Sequence, residues 1–245
     1  MIPLRDANPT RRRPVVTIGL IAVCIAVFGY ELLVQASDGD AGLGRLFLRF
    51  GLVPALITGQ LGGAVDLGSG GLIPVFSSMF LHGDPLHIGF NMLYLWIFGN
   101  NVEDRFGHLG FLAFYLAGGV VAAAAQVLVD PMSTVPVIGA SGAIAAVLGA
   151  YLVLFPAARV LSLIYFGLFF QLIQVPAIVL LGFWFAVQVF DSVVSLGAAG
   201  SSGGVALFAH VGGFLAGVVV GLLVRQIDTG GRPRSLRPTD RFGVG

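Results

Sequence analysis

Four polar side chains stand inside otherwise apolar runs: His87, Asn91, Ser141 and His210. His87 and Asn91 are four residues apart, so on a helix they share one face and aim at one point. Ser141 sits in Gly139-Ala140-Ser141-Gly142, where a helix is expected to begin. Unpaired backbone N–H groups and the positive dipole end there favour a nearby anion. His210 lies early in an apolar run that continues through Gly213, Gly217 and Gly221. A serine beside a histidine is an activated nucleophile. A tetrahedral intermediate formed on it needs hydrogen-bond donors for its oxyanion, and His87, Asn91 and the Ser141 N–H are the candidates. The acids nearest in depth, Glu31, Asp84 and Asp191, lie at or near the ends of their runs, and no spacing ties any of them to His210. The residues therefore predict a dyad rather than a triad.

The elements that must position these groups follow from composition. Hydrophobic residues make up 57% of the 245-residue chain, charged residues 10%, and mean hydropathy is +0.95. A soluble domain carries about 25% charged residues, so lipid is the expected solvent. The fold class expected is an all-α membrane protein, a bundle of six transmembrane helices over about 14–35, 84–102, 109–129, 139–155, 173–191 and 206–224, each near the roughly 20 residues that cross a bilayer. Residues 1–13 form a polar arm, 14–225 the membrane domain, and 226–245 a Gly/Pro/Arg-rich tail expected to be disordered. The first span is preceded by arginines and could be mistaken for a signal peptide. Its apolar run of about 21 residues is longer than the roughly 7–15 of a signal core, so an uncleaved span is expected.

Two connections stand out. The first, about 36–83, is long, and its Leu43–Leu52 piece reads as an interfacial helix with Arg45 and Arg49 snorkelling. In the second, the apolar stretch from Val160 to Phe190 is too long for one span and too short for two. Pro176 is expected to divide a partly buried segment from span 5. Asp84 is expected to cap span 2, Asp191 to cap the outer end of span 5, and His82 to hydrogen-bond within its loop. His108 is expected to be solvated.

All 13 basic residues are arginine. Arg5, Arg11, Arg12 and Arg13 precede the first run, and Arg225, Arg232, Arg234, Arg237 and Arg241 follow the last. The positive-inside rule then makes both termini cytoplasmic, which requires an even number of spans. These basic ends read as topology signals rather than as nucleic-acid contacts. Spans 2, 4 and 6 all run inward, so the four polar residues share the outer part of the bilayer. Ser141, Ala145 and Gly149 form one small-residue stripe, and His210, Gly213, Gly217 and Gly221 another. Such stripes let helices approach closely in lipid, which predicts contact between Ser141 and His210. Cys24 stands alone, so neither an intrachain disulfide nor a cysteine metal site is expected.

With these residues in place the chain resembles the rhomboid intramembrane serine proteases. His87-Ile-Gly-Phe-Asn91 matches that family's HxxxN, Gly139-Ala-Ser141-Gly142 its GxSG, and Ala209-His210-Val-Gly-Gly213-Phe-Leu-Ala-Gly217 its AHxxGxxxG. Glu103 and Arg105, after Trp96 and Gly99-Asn100, look like its usual end of span 2. The resemblance covers about residues 14–225. It implies Ser141 as nucleophile, His210 as general base and then acid, and His87 and Asn91 as oxyanion helpers. Gly139, Gly142, Gly213 and Gly217, with Glu103 and Arg105, would be structural. It also implies that span 5, with the Gly/Ser loop before span 6, admits transmembrane protein substrates from the bilayer. No cofactor, metal or nucleic acid is implied, and the setting expected is a bacterial inner membrane. The sequence leaves the oligomeric state open. One position departs from the family pattern: Ala145 stands four after the serine, where an aromatic commonly stacks on the histidine.

Three other functions are open to these residues. A metalloprotease would use His82, His87 and His210, but H-E-x-x-H is missing and Asp84 is the only nearby carboxylate. A transporter would line a pathway with His and Asn, but no internal repeat is evident. A catalytically dead relative would bind membrane helices without cutting them.

Overall fold

After Pro14 the apolar run becomes a single long helix, α1 (Val15–Phe50), broken only at Gly39, whose φ of 66° takes it out of helical geometry. The computed structural model describes residues 2–59, 72–166, 169–197 and 207–230. The Leu43–Leu52 piece is therefore mostly the continuation of α1 beyond its kink, and Arg45 lies 3.9 Å from Asp38 across that kink on the exposed surface. Short helices α2 (Pro54–Ile57) and α3 (Ile73–Ser77) follow, then a 3₁₀ turn, Ser78–Phe80. Residues 60–71 of the long connection lie outside the described residues.

Helix α4 (Pro85–Tyr94) begins where the sequence signals it. Asp84 Oδ1 accepts the N–H groups of Leu86 and His87, each at 2.9 Å, and Pro85 occupies the first helical position, where its missing N–H costs nothing. A π-helical turn, Leu95–Gly99, carries α4 into α5 (Asn100–Phe106). Gly107, at φ 72°, breaks the chain direction before α6 (His108–Val129). Then come α7 (Ser141–Leu154), α8 (Ala177–Gly197) and α9 (Leu207–Gly230). Helix α8 runs past Asp191, so Asp191 lies within the helix and is not its outer cap. Helix α9 runs on through residues 226–230, so the first part of the expected disordered tail is helical; residues 198–206 of the Gly/Ser loop and residues 231–245 of the tail lie outside the described residues.

The protein is a mostly helical integral membrane protein. Among the described residues three helices are long and apolar enough to cross a bilayer, Val15–Phe50, His108–Val129 and Leu207–Ile227, and Ser141–Leu154 and Ala177–Asp191 are shorter apolar helices. Helix α7 is the central one: every residue from Gly142 to Tyr151 is buried. Its closest neighbour is α9. A methyl group on Gly217 would overlap the Ala146 carbonyl oxygen, one on Gly213 the Gly142 carbonyl, and one on Gly149 the Phe214 carbonyl. The helices thus touch backbone to backbone. Gly149 of the expected small-residue stripe is in this contact, while Gly142 and Ala146 meet α9 through their carbonyls and turn their Cβ positions to Ala122 and Gly118 of α6.

One part of the all-α expectation needs correction. The stretch after α7 forms a hairpin, β2 (Arg159–Phe166) paired antiparallel with β3 (Phe169–Pro176), and the N-terminal arm adds β1 (Ile2–Asp6) to the other side of β2. The physical reason is legible afterwards. Val160 to Val175 is rich in β-branched and aromatic residues, which favour strands. A hairpin also uses up residues that are too many for one span and too few for two. The arm is tied down at its end, where Asp6 Oδ2 accepts from Asn101 Nδ2 at 2.6 Å and from the Tyr151 hydroxyl at 2.8 Å. Burial pushes the Asp6 carboxyl up from its ordinary range, against the lowering effect of the Tyr151 hydrogen bond.

Glu103, buried at 1% exposure, joins three elements. Its carboxylate accepts the Val16 N–H at 2.9 Å, the Thr17 N–H at 2.8 Å and the Thr17 hydroxyl at 2.7 Å, so it caps the start of α1. His108 is exposed, as expected, and its Nδ1 lies 2.6 Å from the same carboxylate. Desolvation by burial would raise the Glu103 pKa, but the Thr17, Val16 and His108 hydrogen bonds outweigh it and hold the carboxyl below its ordinary 4.5. A depressed pKa means that the stabilisation is complete above 4.5 and is lost as pH falls through the folded value. Glu103→Gln is expected to destabilise the detergent-solubilised protein by about 2–3 kcal/mol at neutral pH, since charge-assisted hydrogen bonds are the strong ones. Thermal unfolding checks this, and the gap from wild type should narrow on acidification below 4.5.

Candidate active site

The start of α7 is built by an unusual backbone. Gly139 has φ 125°, and a Cβ there would lie 2.7 Å from His87 Nε2. Its N–H donates to the Ser78 carbonyl at 2.9 Å, which fixes the loop before Ser141. Ser141 then opens α7, with the helix running away from it. From α9, His210 reaches across the seam, and its Nε2 is 2.7 Å from Ser141 Oγ. The other ring nitrogen, Nδ1, is held by Gln188 Oε1 of α8 at 2.5 Å.

His87 and Asn91 stand opposite, on α4. The Gly83 N–H donates to His87 Nδ1 at 3.4 Å. That leaves Nε2 as the nitrogen carrying hydrogen, on the side of Gly139 and Ser141. Asn91 is buried at 7% exposure, and its Nδ2 finds no hydrogen-bond partner among the described residues. The four side chains line one cavity of about 810 Å³, which is also bordered by Met79, Tyr94, Trp184 and Gln188. The arrangement offers a hydroxyl with a hydrogen-bonded imidazole, and an unsatisfied amide donor facing the same space. No set of three or more His, Cys, Asp or Glu side chains placed to hold a metal occurs among the described residues. His82 lies edge-on to His87, with ring centroids 5.1 Å apart, and its backbone N–H donates to the Glu31 carboxylate at 3.1 Å.

The model of the Rhomboid domain matches residues 69–227. The chain belongs to the rhomboid family. Among its relatives are Rhomboid protein 1, mitochondrial, of Saccharomyces cerevisiae, 29% identical over 177 residues, and Rhomboid protease GluP of Bacillus subtilis, 36% identical over 148 residues. These matches take in 69% and 60% of this chain but 47% and 26% of the relatives. The presenilin-associated rhomboid-like protein A of Danio rerio mitochondria is 34% identical over 89 residues, 36% of this chain and 23% of that protein. The chain thus spans less than half the length of these relatives.

This rhomboid surrounds its histidine in a way the sequence did not announce. Ala145 is fully buried, and the aromatic ring near His210 comes from α8, where Trp184 lies with its centroid 6.0 Å away. Trp184 and Gln188 are four apart on α8 and turn one face towards His210. The available signal was an amide in the middle of an apolar helix, which is costly in lipid unless it has a partner.

Gly139→Ala tests the backbone of this rhomboid directly. The added methyl meets His87 in a conformation that side chains rarely adopt, a cost of about 1–3 kcal/mol. Under the function proposed below, cleavage is expected to fall about 100-fold, because a displacement near 1 Å at a reacting centre has that effect. The thermal midpoint should move by only a few degrees. Cleavage kinetics and unfolding measured together check both statements.

Proposed function

We propose that this rhomboid is an intramembrane serine endopeptidase that cleaves peptide bonds in or next to transmembrane segments by a Ser141–His210 dyad. The observation that carries the reading is the 2.7 Å hydrogen bond between His210 Nε2 and Ser141 Oγ, at the edge of a cavity large enough for an extended peptide segment. Family membership and the relative whose name is Rhomboid protease GluP support it.

In the first half-reaction Ser141 Oγ attacks the scissile carbonyl carbon while its proton passes to His210 Nε2. The carbonyl oxygen becomes an oxyanion. Asn91 Nδ2, His87 Nε2–H and the Ser141 N–H are its donors, and the unsatisfied Asn91 amide gains its missing partner only then. His210 next gives the proton to the leaving amine nitrogen, the C–N bond breaks, and an acyl-enzyme remains on Ser141. Water then adds to the ester carbonyl with His210 as base, and Ser141 leaves with the proton returned. Gly139, Gly142, Gly213 and Gly217 keep the two helices close enough for this, while Glu103 and Arg105 hold the end of span 2.

The wider arrangement belongs to the same reading. Residues 14–225 form a six-span domain, counting α4 with the π-helical turn and the start of α5 to about residue 102, α7 and α8 as spans beside the three long helices. Arginines at both ends support cytoplasmic termini. The dyad then lies towards the outer leaflet of a bacterial inner membrane, substrates arrive laterally from lipid, and neither cofactor nor nucleic acid takes part. Reconstitution in liposomes with a reporter transmembrane protein tests the reading. Cleavage mapped by mass spectrometry to a bond within or beside the membrane segment, insensitive to chelators, is the expected result. Cleavage abolished by chelators, or confined to distant soluble regions, would overturn it.

A further inference from the structure

The proposed dyad needs one particular tautomer of His210. Nε2 must be bare to accept the Ser141 hydroxyl proton, so the ring hydrogen must sit on Nδ1. Burial and apolar surroundings do not choose between the two tautomers; a hydrogen-bond acceptor on Nδ1 does. Asp84, Asp191 and Glu31 are not joined to His210 by any hydrogen bond among the described residues. The group that meets Nδ1 is the side-chain amide of Gln188, whose Oε1 is 2.5 Å away. An amide oxygen is only an acceptor, so Nδ1 must be the donor. One turn earlier, Trp184 lies 6.0 Å from the imidazole and limits its rotation. The ring is therefore fixed by two side chains of one helix that contributes nothing to the covalent chemistry.

We infer that Gln188 is a positioning residue of the active site, which selects and holds the Nδ1–H tautomer of His210 and so prepares Nε2 to take the proton of Ser141. This rests on the dyad proposed above. A neutral amide orients the ring as the third member of other Ser-His sites does, without placing a charge in lipid, where an ionised carboxylate would be costly. The arrangement also explains how Ala145 is tolerated, because the Nδ1 side of the imidazole is held from α8 and needs no ring from α7.

Reaction of purified protein with a fluorophosphonate reads activation of the serine without needing a substrate to dock. Gln188→Met keeps length and apolar bulk but loses the strong acceptor; its labelling rate is expected to fall about 10- to 100-fold, the usual effect of removing a group that orients a functional histidine. Gln188→Leu should behave alike and guards against misfolding of either variant. Gln188→Glu restores an acceptor oxygen and should label within about threefold of wild type. With a reporter transmembrane substrate, kcat should carry the loss while KM stays within about twofold. A folded Met or Leu variant that labels at the wild-type rate would overturn the inference, as would a loss confined to KM or a Glu variant as slow as Met. Wild type and His210→Ala serve as references. If wild-type Ser141 is not labelled, the dyad itself fails. If it is labelled and His210→Ala is silent while Gln188→Met reacts normally, only the role of Gln188 fails.

Discussion

Replacing Ser141 by alanine is expected to lower cleavage of a reporter transmembrane substrate by about 10⁴-fold or more while leaving the thermal midpoint nearly unchanged. The side chain is small and only partly buried, and its hydroxyl bonds to His210 rather than to the backbone framework. No cavity of consequence is created, so the fold loses little. In the proposed mechanism the chemistry loses its nucleophile. His210→Ala should cost about as much, and the double variant no more than either single one, because the two groups act in the same step. Activity assays on the three variants beside wild type check this. A Ser141→Ala variant with even a tenth of wild-type activity would remove the serine from the mechanism.

The second large effect is on the seam between α7 and α9. A side chain at Gly217 would run into the Ala146 carbonyl, which is backbone and cannot rotate away. Gly217→Val must therefore push the helices apart. Overpacking of a rigid contact costs typically 1–3 kcal/mol and sometimes more, and about 3 kcal/mol or more is expected here because backbone meets backbone. A shift of about 1 Å is also enough to break the Ser141–His210 hydrogen bond, with a loss of about 100-fold or more in rate. Gly217→Ala should be intermediate on both scales. The variant thus differs from Ser141→Ala in kind: stability and activity fall together. Unfolding in detergent and cleavage kinetics on the same samples distinguish the two patterns.

Much of the site was legible in the residues before any coordinates. Polar side chains are rare in apolar runs, so His87, Asn91, Ser141 and His210 drew attention by their cost alone. The glycines of α9 and the small residues of α7 then brought Ser141 and His210 together, because little other than close helix contact uses such stripes in lipid. The register was less legible. Small residues line α7 on more than one face, and the period of 3.6 does not reveal that Gly142 and Ala146 turn their Cβ positions to α6 while their carbonyls meet α9.

Three features escaped for physical reasons. The hairpin of β2 and β3 is as apolar as a helix would be, and hydropathy does not separate strand from helix in a short run. Its third strand comes from residues 2–6, paired with a segment more than a hundred residues away, which no local pattern reveals. Gln188 was hidden for a different reason. Its meaning depends on which nitrogen of His210 it faces, a fact of packing between α8 and α9. In the same way, the helix break at Gly39 followed from a backbone angle and not from the surrounding apolar pattern.

The central claim is the working contact between one hydroxyl and one imidazole, and fluorophosphonate labelling followed by peptide mapping of the intact membrane protein addresses it most directly. A single adduct on Ser141, present in wild type and missing in His210→Ala, is the result expected. An adduct on another residue, or equal labelling of Ser141 with and without His210, would contradict it.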